Sequence, residues 1–217
     1  MAAPPTTGGL ALRGVRIGLR GTTLIDIDAA IAPGEVLTVM GRSGAGKSTL
    51  LAYIAGFLDP AFSAAGEVLL DGAAIQLLPA QARGVGLLFQ DPLLFPHLSV
   101  GGNLLFGMPR QAGAGRSVRW AMMLAALDSA GLAGFEARDP ATLSGGQKAR
   151  AALLRLMLSR PRAVLLDEPF SALDATLRDD IRTLVFGQIR RAGLPCLLVT
   201  HDAEDAASAG GTVIELG

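Results

Sequence analysis

The stretch VLTVMGRSGAGKSTLLAYIA, residues 36–55, decides the fold of this chain. An apolar run, a glycine-rich turn and a second apolar run follow one another, which predicts a strand, a loop and a helix. The loop, Gly41–Thr49, matches the phosphate-binding pattern G-x-x-x-x-G-K-[ST] in the context that this pattern requires. Glycines let the backbone turn its N–H groups inward, and the helix start adds free N–H groups and the positive end of its dipole. The stretch therefore predicts a site for a nucleoside triphosphate.

Two side chains of this loop have predicted roles of their own. Lys47 would reach the terminal phosphates, and the Ser48 hydroxyl would bind a magnesium ion. Of the 19 basic residues only Lys47 and Lys148 are lysines, so a compact ammonium is kept here in an arginine-rich sequence. The loop residues predicted to bind the nucleotide are Gly41, Arg42, Ser43, Gly44, Ala45, Gly46, Lys47, Ser48 and Thr49.

Length and composition place the chain among globular α/β proteins. It has 217 residues, 50% of them hydrophobic, and a formal net charge of zero, which argues against binding nucleic acid through bulk charge. The single cysteine, Cys196, excludes an internal disulfide and suits a reducing compartment. No stretch of about 20 apolar residues is present, and the first nine residues lack the features of a signal peptide. We therefore expect a soluble, cytoplasmic protein.

Strands and helices alternate near both ends of the chain, which predicts a mainly parallel sheet with functional loops at the carboxyl ends of its strands. The early strands predict a small antiparallel sheet beside this core, whereas Gly56–Gly66, with Pro60 and Ser63, is predicted to be a loop. The predicted strands are 10–19, 23–31, 35–40, 67–70, 85–89, 163–166, 197–200 and 212–216.

The middle of the chain predicts an all-helical insert in the α/β core. In its clearest helix, apolar residues at helical spacing predict one buried face, made of Trp120, Met123, Leu124 and Leu127. We expect a single domain over 1–217. Its core and β-subdomain occupy ~10–90 and ~161–217, and its helical subdomain occupies ~91–160.

Two carboxylates, Asp167 and Glu168, close the predicted buried strand at 163–166. At the carboxyl end of a strand and beside a phosphate loop, the two carboxylates can have different roles. Asp167 would hold magnesium, directly or through water, while Glu168 would orient and polarise the attacking water. The alternative is an acidic pair that caps the following turn, and the phosphate loop disfavours it.

A second anion-binding feature comes immediately before the helix at 145–160. The pentad Leu143–Gln147, LSGGQ, places a serine and two glycines at a helix N-terminus. Alone, it could equally be a plain helix cap. A chain with two such features either binds two anions or shares each anion between two chains.

Together these motifs resemble the ATP-binding-cassette (ABC) ATPase family, and the pentad is similar to its highly specific signature. The resemblance covers residues ~10 to 217. Its six motifs, in chain order, are Walker A at 41–49, the Q-loop Gln90, the signature at 143–147, Walker B (AVLLDE) at 163–168, the D-loop at 171–174 and the switch histidine His201.

The resemblance implies an α/β P-loop NTPase (RecA-like) that hydrolyses ATP in a head-to-tail homodimer. In this family each ATP lies between one chain's Walker A and the other chain's signature. Implied catalytic residues are Glu168, His201, Lys47 and Gln90. Implied magnesium ligands are Ser48, Gln90 and Asp167. Beyond the loop, implied nucleotide contacts are Gln90, Ser144, Gly145, Gly146, Gln147, Asp174 and His201.

The segment Gln90–Met108 resembles importer-type subunits, in which a helix of the membrane permease docks at this place. The resemblance implies a peripheral subunit on the cytoplasmic side of the inner or plasma membrane. Its partners would be transmembrane permease subunits, a second copy of itself and, indirectly, an external substrate-binding protein, but no nucleic acid. Only 16 residues follow His201, so the resemblance is to the short form without a C-terminal regulatory domain. Residues 10–34 lack the family's usual adenine-stacking aromatic, and Leu19 or Arg20 could substitute.

Other functions remain open from the sequence. One is a non-transport ABC ATPase that acts on a soluble complex, although such proteins carry coiled coils, zinc cysteines or tandem cassettes. A phosphate-loop kinase or GTPase would give the pentad and His201 no role. An ATP-dependent clamp without turnover would not need Glu168.

Overall fold

The computed structural model describes residues 8–42, 44–110 and 115–216, apart from the side chain of Thr176. Short 3₁₀ turns lie at Ala80–Ala82 and Pro140–Thr142. The strands and helices in chain order are β1 (Leu10–Leu19), β2 (Thr22–Ile31), β3 (Val36–Gly41), α1 (Lys47–Ala55), β4 (Phe62–Leu70), β5 (Ala73–Ala74), β6 (Val85–Leu88), α2 (Val100–Gly107), α3 (Arg116–Ser129), α4 (Gly145–Leu158), β7 (Ala163–Asp167), α5 (Ala175–Arg191), β8 (Cys196–Thr200), α6 (Ala203–Ala209) and β9 (Val213–Leu216).

The strands form two sheets. One is antiparallel, in the order β2-β1-β4-β5. The other has the order β6-β7-β8-β3-β9, and β7, β8, β3 and β9 pair in parallel. The predicted fold class, an α/β phosphate-loop protein with a mainly parallel sheet and an antiparallel β-subdomain, is confirmed. Within the described residues, no helix is both long and apolar enough to cross a bilayer.

The described residues fall into two compact units. The first comprises the described residues within Met1–Leu87, Arg162–Glu168 and Arg182–Gly217, and the second those within Leu88–Pro161 and Pro169–Ile181. The division falls inside α5, between Ile181 and Arg182.

One apolar core holds the first unit together. β8 is buried at every position and β7 at all but its last, as expected for parallel strands that are covered on both faces. Leu50, Leu51 and Ile54 of α1 belong to the same cluster as Ile25 of the antiparallel sheet and Leu165 of the parallel sheet. Burial of this face therefore fixes α1 and, with it, the phosphate loop at its N-terminus.

The second unit has a core formed by α2, α3 and α4. Met123 and Leu127 of α3 are fully buried in it, but Trp120 is 44% exposed and Leu124 is 38% exposed. The prediction of a four-residue buried face was therefore wrong. The face is rotated toward Arg119, whose guanidinium donates to the backbone carbonyls of Leu105 and Met108 at the end of α2.

The loop predicted over 56–66 was also partly wrong, because β4 already begins at Phe62. The backbone of β1 pairs with this stretch, from Leu19 opposite Phe62 to Arg16 opposite Ala65. Residues 63–67 are exposed, so they show no alternation of apolar side chains. Pairing with a long neighbouring strand outweighs the local turn signals.

Candidate functional site

The phosphate loop joins the end of β3 to the start of α1, and its glycines are required by its geometry. Gly44 and Gly46 have φ values of 85° and 84°, which glycine adopts without steric cost. A Cβ on Gly41 would lie 2.9 Å from the carbonyl oxygen of Leu216. A Cβ on Gly46 would lie 3.2 Å from Cδ1 of Ile25. Of the predicted loop residues, Ser43 lies outside the described residues.

The N-terminus of α1 has no side-chain cap. Gly46 is the N-cap residue, and the first turn carries no acidic side chain. The Gly46 carbonyl accepts the first helical hydrogen bond from the Leu50 N–H at 3.0 Å. An α-helix leaves its first N–H groups without intrahelical acceptors, and its dipole makes this end positive. The terminus is therefore suited to bind an anion such as a phosphate.

The Lys47 side chain folds back over the loop. Its Nζ donates to the carbonyls of Gly41 and Arg42, at 2.8 and 3.1 Å. The residue is buried, and Nζ lies 3.9 Å from Oε1 of Glu168. The ammonium therefore lies between loop carbonyls and a carboxylate, where a polyphosphate could replace the carbonyls as its acceptor.

Ser48 and Asp167 form a pair of oxygen donors at the edge of the sheet. The Ser48 hydroxyl donates to Oδ1 of Asp167 at 3.0 Å. Burial raises the pKa of the Asp167 carboxyl, and the hydrogen bond from Ser48 only partly offsets this rise. Magnesium prefers such oxygen ligands together with substrate phosphates, and a cation would compensate the partly buried charge. In the part of the chain that the structure describes, no group of three or more His, Cys, Asp or Glu side chains is arranged to hold a metal ion by itself.

Glu168 lies between a lysine and a histidine. Its φ of 44° is uncommon for a residue other than glycine, and its N–H donates to the Val199 carbonyl at 2.9 Å. Its Oε1 is 3.1 Å from Nδ1 of His201, whose side chain is 61% exposed. No sequence motif marks Val199, which pairs with Asp167 in the parallel register of β7 and β8. The backbone of β8 therefore helps to hold the carboxylate in place.

The other predicted site residues lie in the second unit. Ser144 is the N-cap of α4, where its Oγ accepts from the Gln147 N–H at 3.3 Å and Oε1 of Gln147 accepts from the Ser144 N–H at 3.0 Å. This reciprocal pair is a capping box. Gly145 is exposed, with Cδ2 of Leu173 as the nearest neighbour of a Cβ built there, at 3.9 Å. Gly146 is buried, and a Cβ there would overlap the Leu177 side chain.

Gln90 and Asp174 complete the predicted set. Gln90 is exposed and follows β6 by two residues. Asp174 precedes α5, and its carbonyl accepts from the N–H groups of Leu177 and Arg178. The structure thus brings together Lys47, Ser48, Asp167, Glu168 and His201 in the first unit. Ser144–Gln147, Gln90 and Asp174 lie in the second unit.

The chain is similar to known proteins over most of its length. A profile described as "ABC transporter" matches residues 24–171. The chain is 47% identical over 182 residues to the uncharacterized ABC transporter ATP-binding protein YnjD of Escherichia coli (strain K12). The aligned residues make up 84% of this chain and 83% of that protein. It is 44% identical over 180 residues to the spermidine/putrescine import ATP-binding protein PotA of Frankia alni, with 83% of this chain and 38% of that protein covered.

A further relative is the aliphatic sulfonates import ATP-binding protein SsuB 2 of Burkholderia cenocepacia. The identity is 43% over 195 residues, which covers 90% of this chain and 68% of that protein. The chain thus spans most of YnjD but well under half of PotA. The matched profile includes the phosphate loop, the capped helix α4 and β7 with its two carboxylates. On these grounds the chain belongs to the ABC transporter family.

Proposed function

We propose that this chain is the ATP-binding and ATP-hydrolysing subunit that powers an ABC importer. One observation carries the proposal: around one phosphate loop, the Ser48 hydroxyl donates to Asp167, and Glu168 lies within ion-pair distance of both Lys47 and His201. Family membership supports ATP hydrolysis, and the names of PotA and SsuB 2 support import.

Lys47 and the first turn of α1 would bind the polyphosphate. Phosphate oxygens would replace the Gly41 and Arg42 carbonyls as acceptors for the Lys47 ammonium. They would also accept from the N–H groups of the first turn of α1, which no side chain caps. These donors would stabilise the charge that develops on the transferred phosphoryl group. In hydrolysis the oxygen of water bonds to the γ-phosphorus as the bridging P–O bond to ADP breaks, which yields ADP and inorganic phosphate.

Glu168 would orient the attacking water. Its Oε1 would accept a hydrogen bond from that water, while Nδ1 of His201 and Nζ of Lys47 restrict where the oxygen can lie. Because Val199 holds the Glu168 N–H, the carboxylate is positioned before substrate arrives.

Magnesium is the cofactor that this site would hold, through Ser48 and Asp167, with Gln90 as a further ligand. When bound it would neutralise charge on the β- and γ-phosphates. Turnover should therefore need added Mg²⁺ and stop in EDTA. Ser48→Ala should raise the Mg²⁺ concentration needed for half-maximal turnover, and an unchanged requirement would argue against Ser48 as a ligand.

A second copy of the chain would complete each nucleotide site. The signature residues 144–147 and Asp174 would contact ATP bound to the partner's phosphate loop in a head-to-tail dimer. Gly145 is exposed, and a Cβ built there would make only an ordinary contact with Leu173, which supports an approach of ligand from outside the chain. Residues 1–217 would act as one ATPase domain, with ~91–160 as its helical subdomain.

The membrane partner would be a pair of permease subunits, with an external substrate-binding protein as an indirect partner. Gln90–Met108 is the proposed docking segment, because Leu93 is 51% exposed and Phe106 is 69% exposed within it. In that complex the chain would be a peripheral subunit on the cytoplasmic side of the membrane.

Glu168→Gln is the decisive variant for ATP hydrolysis. It keeps the shape of the side chain but removes the carboxylate, so turnover should fall by about 100-fold or more while ATP still binds. Light scattering during gel filtration with saturating Mg·ATP should then detect a trapped dimer. Lys47→Ala should instead lose ATP binding itself, measured with a fluorescent ATP analogue.

Glu67→Gln is the matched control, because Glu67 is an exposed residue of β4 and takes no part in the site. It should hydrolyse ATP like the wild type. The sandwich mechanism fails if Glu168→Gln stays monomeric with saturating ATP while the wild type turns over. The transport role fails if no multi-span protein co-purifies with the wild type from membranes of its source organism.

A further inference from the structure

A buried ion pair lies beside the switch histidine in the first unit. Arg182 of α5 and Asp205 of α6 each have a side chain only 3% exposed. Nε of Arg182 donates to Oδ1 of Asp205 at 2.7 Å. Charged residues are rarely buried this completely unless they are paired, and this pair is not part of the phosphate site described above.

A chain of hydrogen bonds runs from this ion pair to both sequence neighbours of His201. Oδ2 of Asp205 accepts from the Thr200 hydroxyl at 2.9 Å. The Thr200 Oγ1 in turn accepts from the Asp202 N–H at 3.1 Å. The residue before His201 and the residue after it are therefore held by one carboxylate.

The Arg182 guanidinium adds two further contacts to the same segment. Its terminal nitrogens lie 3.4 Å from Oδ2 of Asp202 and 3.2 Å from Oε2 of Glu204. Oδ1 of Asp202 also accepts from the Glu204 N–H at 2.8 Å, which caps the N-terminus of α6. The segment from Thr200 to Asp205 is thus tied to a single buried cation.

Stability alone does not explain why the Arg182–Asp205 ion pair is buried. Desolvating two charges costs free energy that their attraction often does not recover, so a buried ion pair is weak grounds for a stability role. His201 is largely exposed, so packing around its own ring cannot fix its direction. Apart from its contact with Glu168, the position of the ring depends on the backbone of the residues on either side.

We infer that Arg182, Asp205 and Thr200 are positioning residues that hold His201 against Glu168 for ATP hydrolysis. The inference rests on the proposed function, since it assigns His201 a part in turnover. None of the three residues touches the reacting atoms. Their effect passes through the backbone of residues 200–202 to the imidazole.

Thr200→Val is the test variant, because removing one member of the ion pair could unfold the chain. Valine keeps the size of threonine but removes the hydroxyl that links Asp205 to the Asp202 N–H. We expect kcat for ATP to fall by about 10- to 100-fold, as for other misplacements of a catalytic group. The KM for ATP should change by less than about twofold, because Lys47 and the phosphate loop are untouched. Thr200→Ser, which restores the hydroxyl, should return kcat to within about twofold of the wild type.

Thr38→Val is the matched control. Thr38 is also fully buried, in the neighbouring strand β3, and its hydroxyl has no hydrogen-bond partner among the described residues. The same change of residue type should leave kcat unaltered. If Thr200→Val and Thr38→Val have the same kcat as the wild type, the inference is overturned.

A second readout does not depend on turnover. The chain has only two histidines, so His97→Gln identifies the His201 ring signals in a long-range ¹H–¹⁵N spectrum. The wild type should show a distinct Nδ1 signal for His201, and Thr200→Val should merge it with the Nε2 signal as the ring loses its fixed partner. An unchanged spectrum would contradict the inference.

The two proposals can fail separately. If the wild type does not hydrolyse ATP but the His201 signal changes in Thr200→Val, the proposed function fails and the positioning of His201 stands. If the wild type turns over and His201→Ala is impaired, but Thr200→Val matches the wild type in kcat and spectrum, only the positioning inference fails.

Discussion

Two helix N-termini carry the motifs that the sequence predicts to bind anions, and they are built in opposite ways. The N-terminus of α1 has a glycine N-cap and no side-chain cap. The N-terminus of α4 is closed by its own capping box, in which Ser144 and Gln147 satisfy each other's N–H groups. The first terminus leaves its donors for a ligand, whereas the second already has two of its N–H groups bonded to its own side chains.

The difference shows where each terminus obtains its stability. A helix without a cap is held by burial of its body, and α1 buries Leu50, Leu51 and Ile54 in the main core. A capped helix gains stability at the terminus itself, typically about 1 kcal/mol. We therefore expect changes at the α4 terminus to alter both stability and turnover, and changes at the α1 terminus to alter turnover with little loss of stability.

The two glycines of the α4 terminus give the largest expected stability effect. In Gly146→Ala the new Cβ would overlap the Leu177 side chain, so the free energy of unfolding should fall by about 1–3 kcal/mol. Thermal melting should detect this as a drop in Tm of about 2–10 °C. Gly145→Ala has ordinary space around its Cβ, and alanine is the better helix former, so its Tm should not fall.

Gly145→Ala therefore separates function from folding. If the signature contacts the partner's ATP, this variant should lose turnover while its Tm is kept. If neither variant lowers Tm, the overlap with Leu177 does not occur in solution. The α4 terminus would then be less tightly packed than the structure indicates.

Loss of the capping box of α4 should have the next largest effect on stability. Ser144→Ala should lower the free energy of unfolding by about 1 kcal/mol, a fall in Tm of about 2–4 °C. Ser99→Ala is the control, because Ser99 caps α2 of the same unit in the same way, by accepting from the Gly102 N–H at 3.1 Å. Both variants should lose similar stability, but Ser144→Ala should lose more turnover. If only Ser99→Ala lowers Tm, the α4 terminus is as open as that of α1 and the comparison fails.

The open terminus could be predicted from sequence because its requirements are local. The flanking strand, the phosphate loop and the helix start are continuous in the chain. In this context the G-x-x-x-x-G-K-[ST] pattern indicates phosphate binding. For Leu143–Gln147 the residues alone left two possibilities, a plain cap or an anion site. The structure contains the cap, and its side-chain bonds span only three residues, so this part was also accessible to sequence analysis.

Features that depend on distant partners could not be predicted in this way. β4 begins at Phe62 because β1 pairs with it, and the exposed residues 63–67 carry no alternating pattern that would reveal a strand. Trp120 is exposed because the position of the buried face of α3 is set by its neighbours in the core. The ion pair of Arg182 and Asp205 joins two helices across 23 residues of sequence, and no local signal marks it.

The smallest expected effect on stability concerns Asp167. Its carboxylate accepts a hydrogen bond from Ser48, in the first turn of α1. Burial raises the pKa of Asp167, so the folded chain binds this proton more tightly than the unfolded chain does. When the pH is above the pKa of the folded state, the ionised carboxylate therefore disfavours folding. This loss of stability disappears when the pH is below the ordinary pKa of aspartate, about 4. Asp167→Asn keeps the acceptor for Ser48, so its Tm at pH 7 should exceed that of the wild type by about 1–2 °C. Turnover should nevertheless be lost.

Asp71 in the same unit should respond with the opposite sign. The N–H of Gly9 and the guanidinium of Arg162 lower the pKa of the Asp71 carboxyl, so its charge favours folding above the ordinary pKa of aspartate, and this contribution is lost as the pH falls through the lowered value. Asp71→Asn should therefore melt below the wild type at pH 7. The Asp167→Asn difference should shrink as the pH falls toward about 4, whereas the Asp71→Asn difference should shrink only as the pH falls below about 4. If Asp167→Asn also melted lower at pH 7, the carboxylate would be stabilising in the folded chain. The open terminus would then be satisfied without a cation or phosphate, and its contrast with α4 would lose its physical basis.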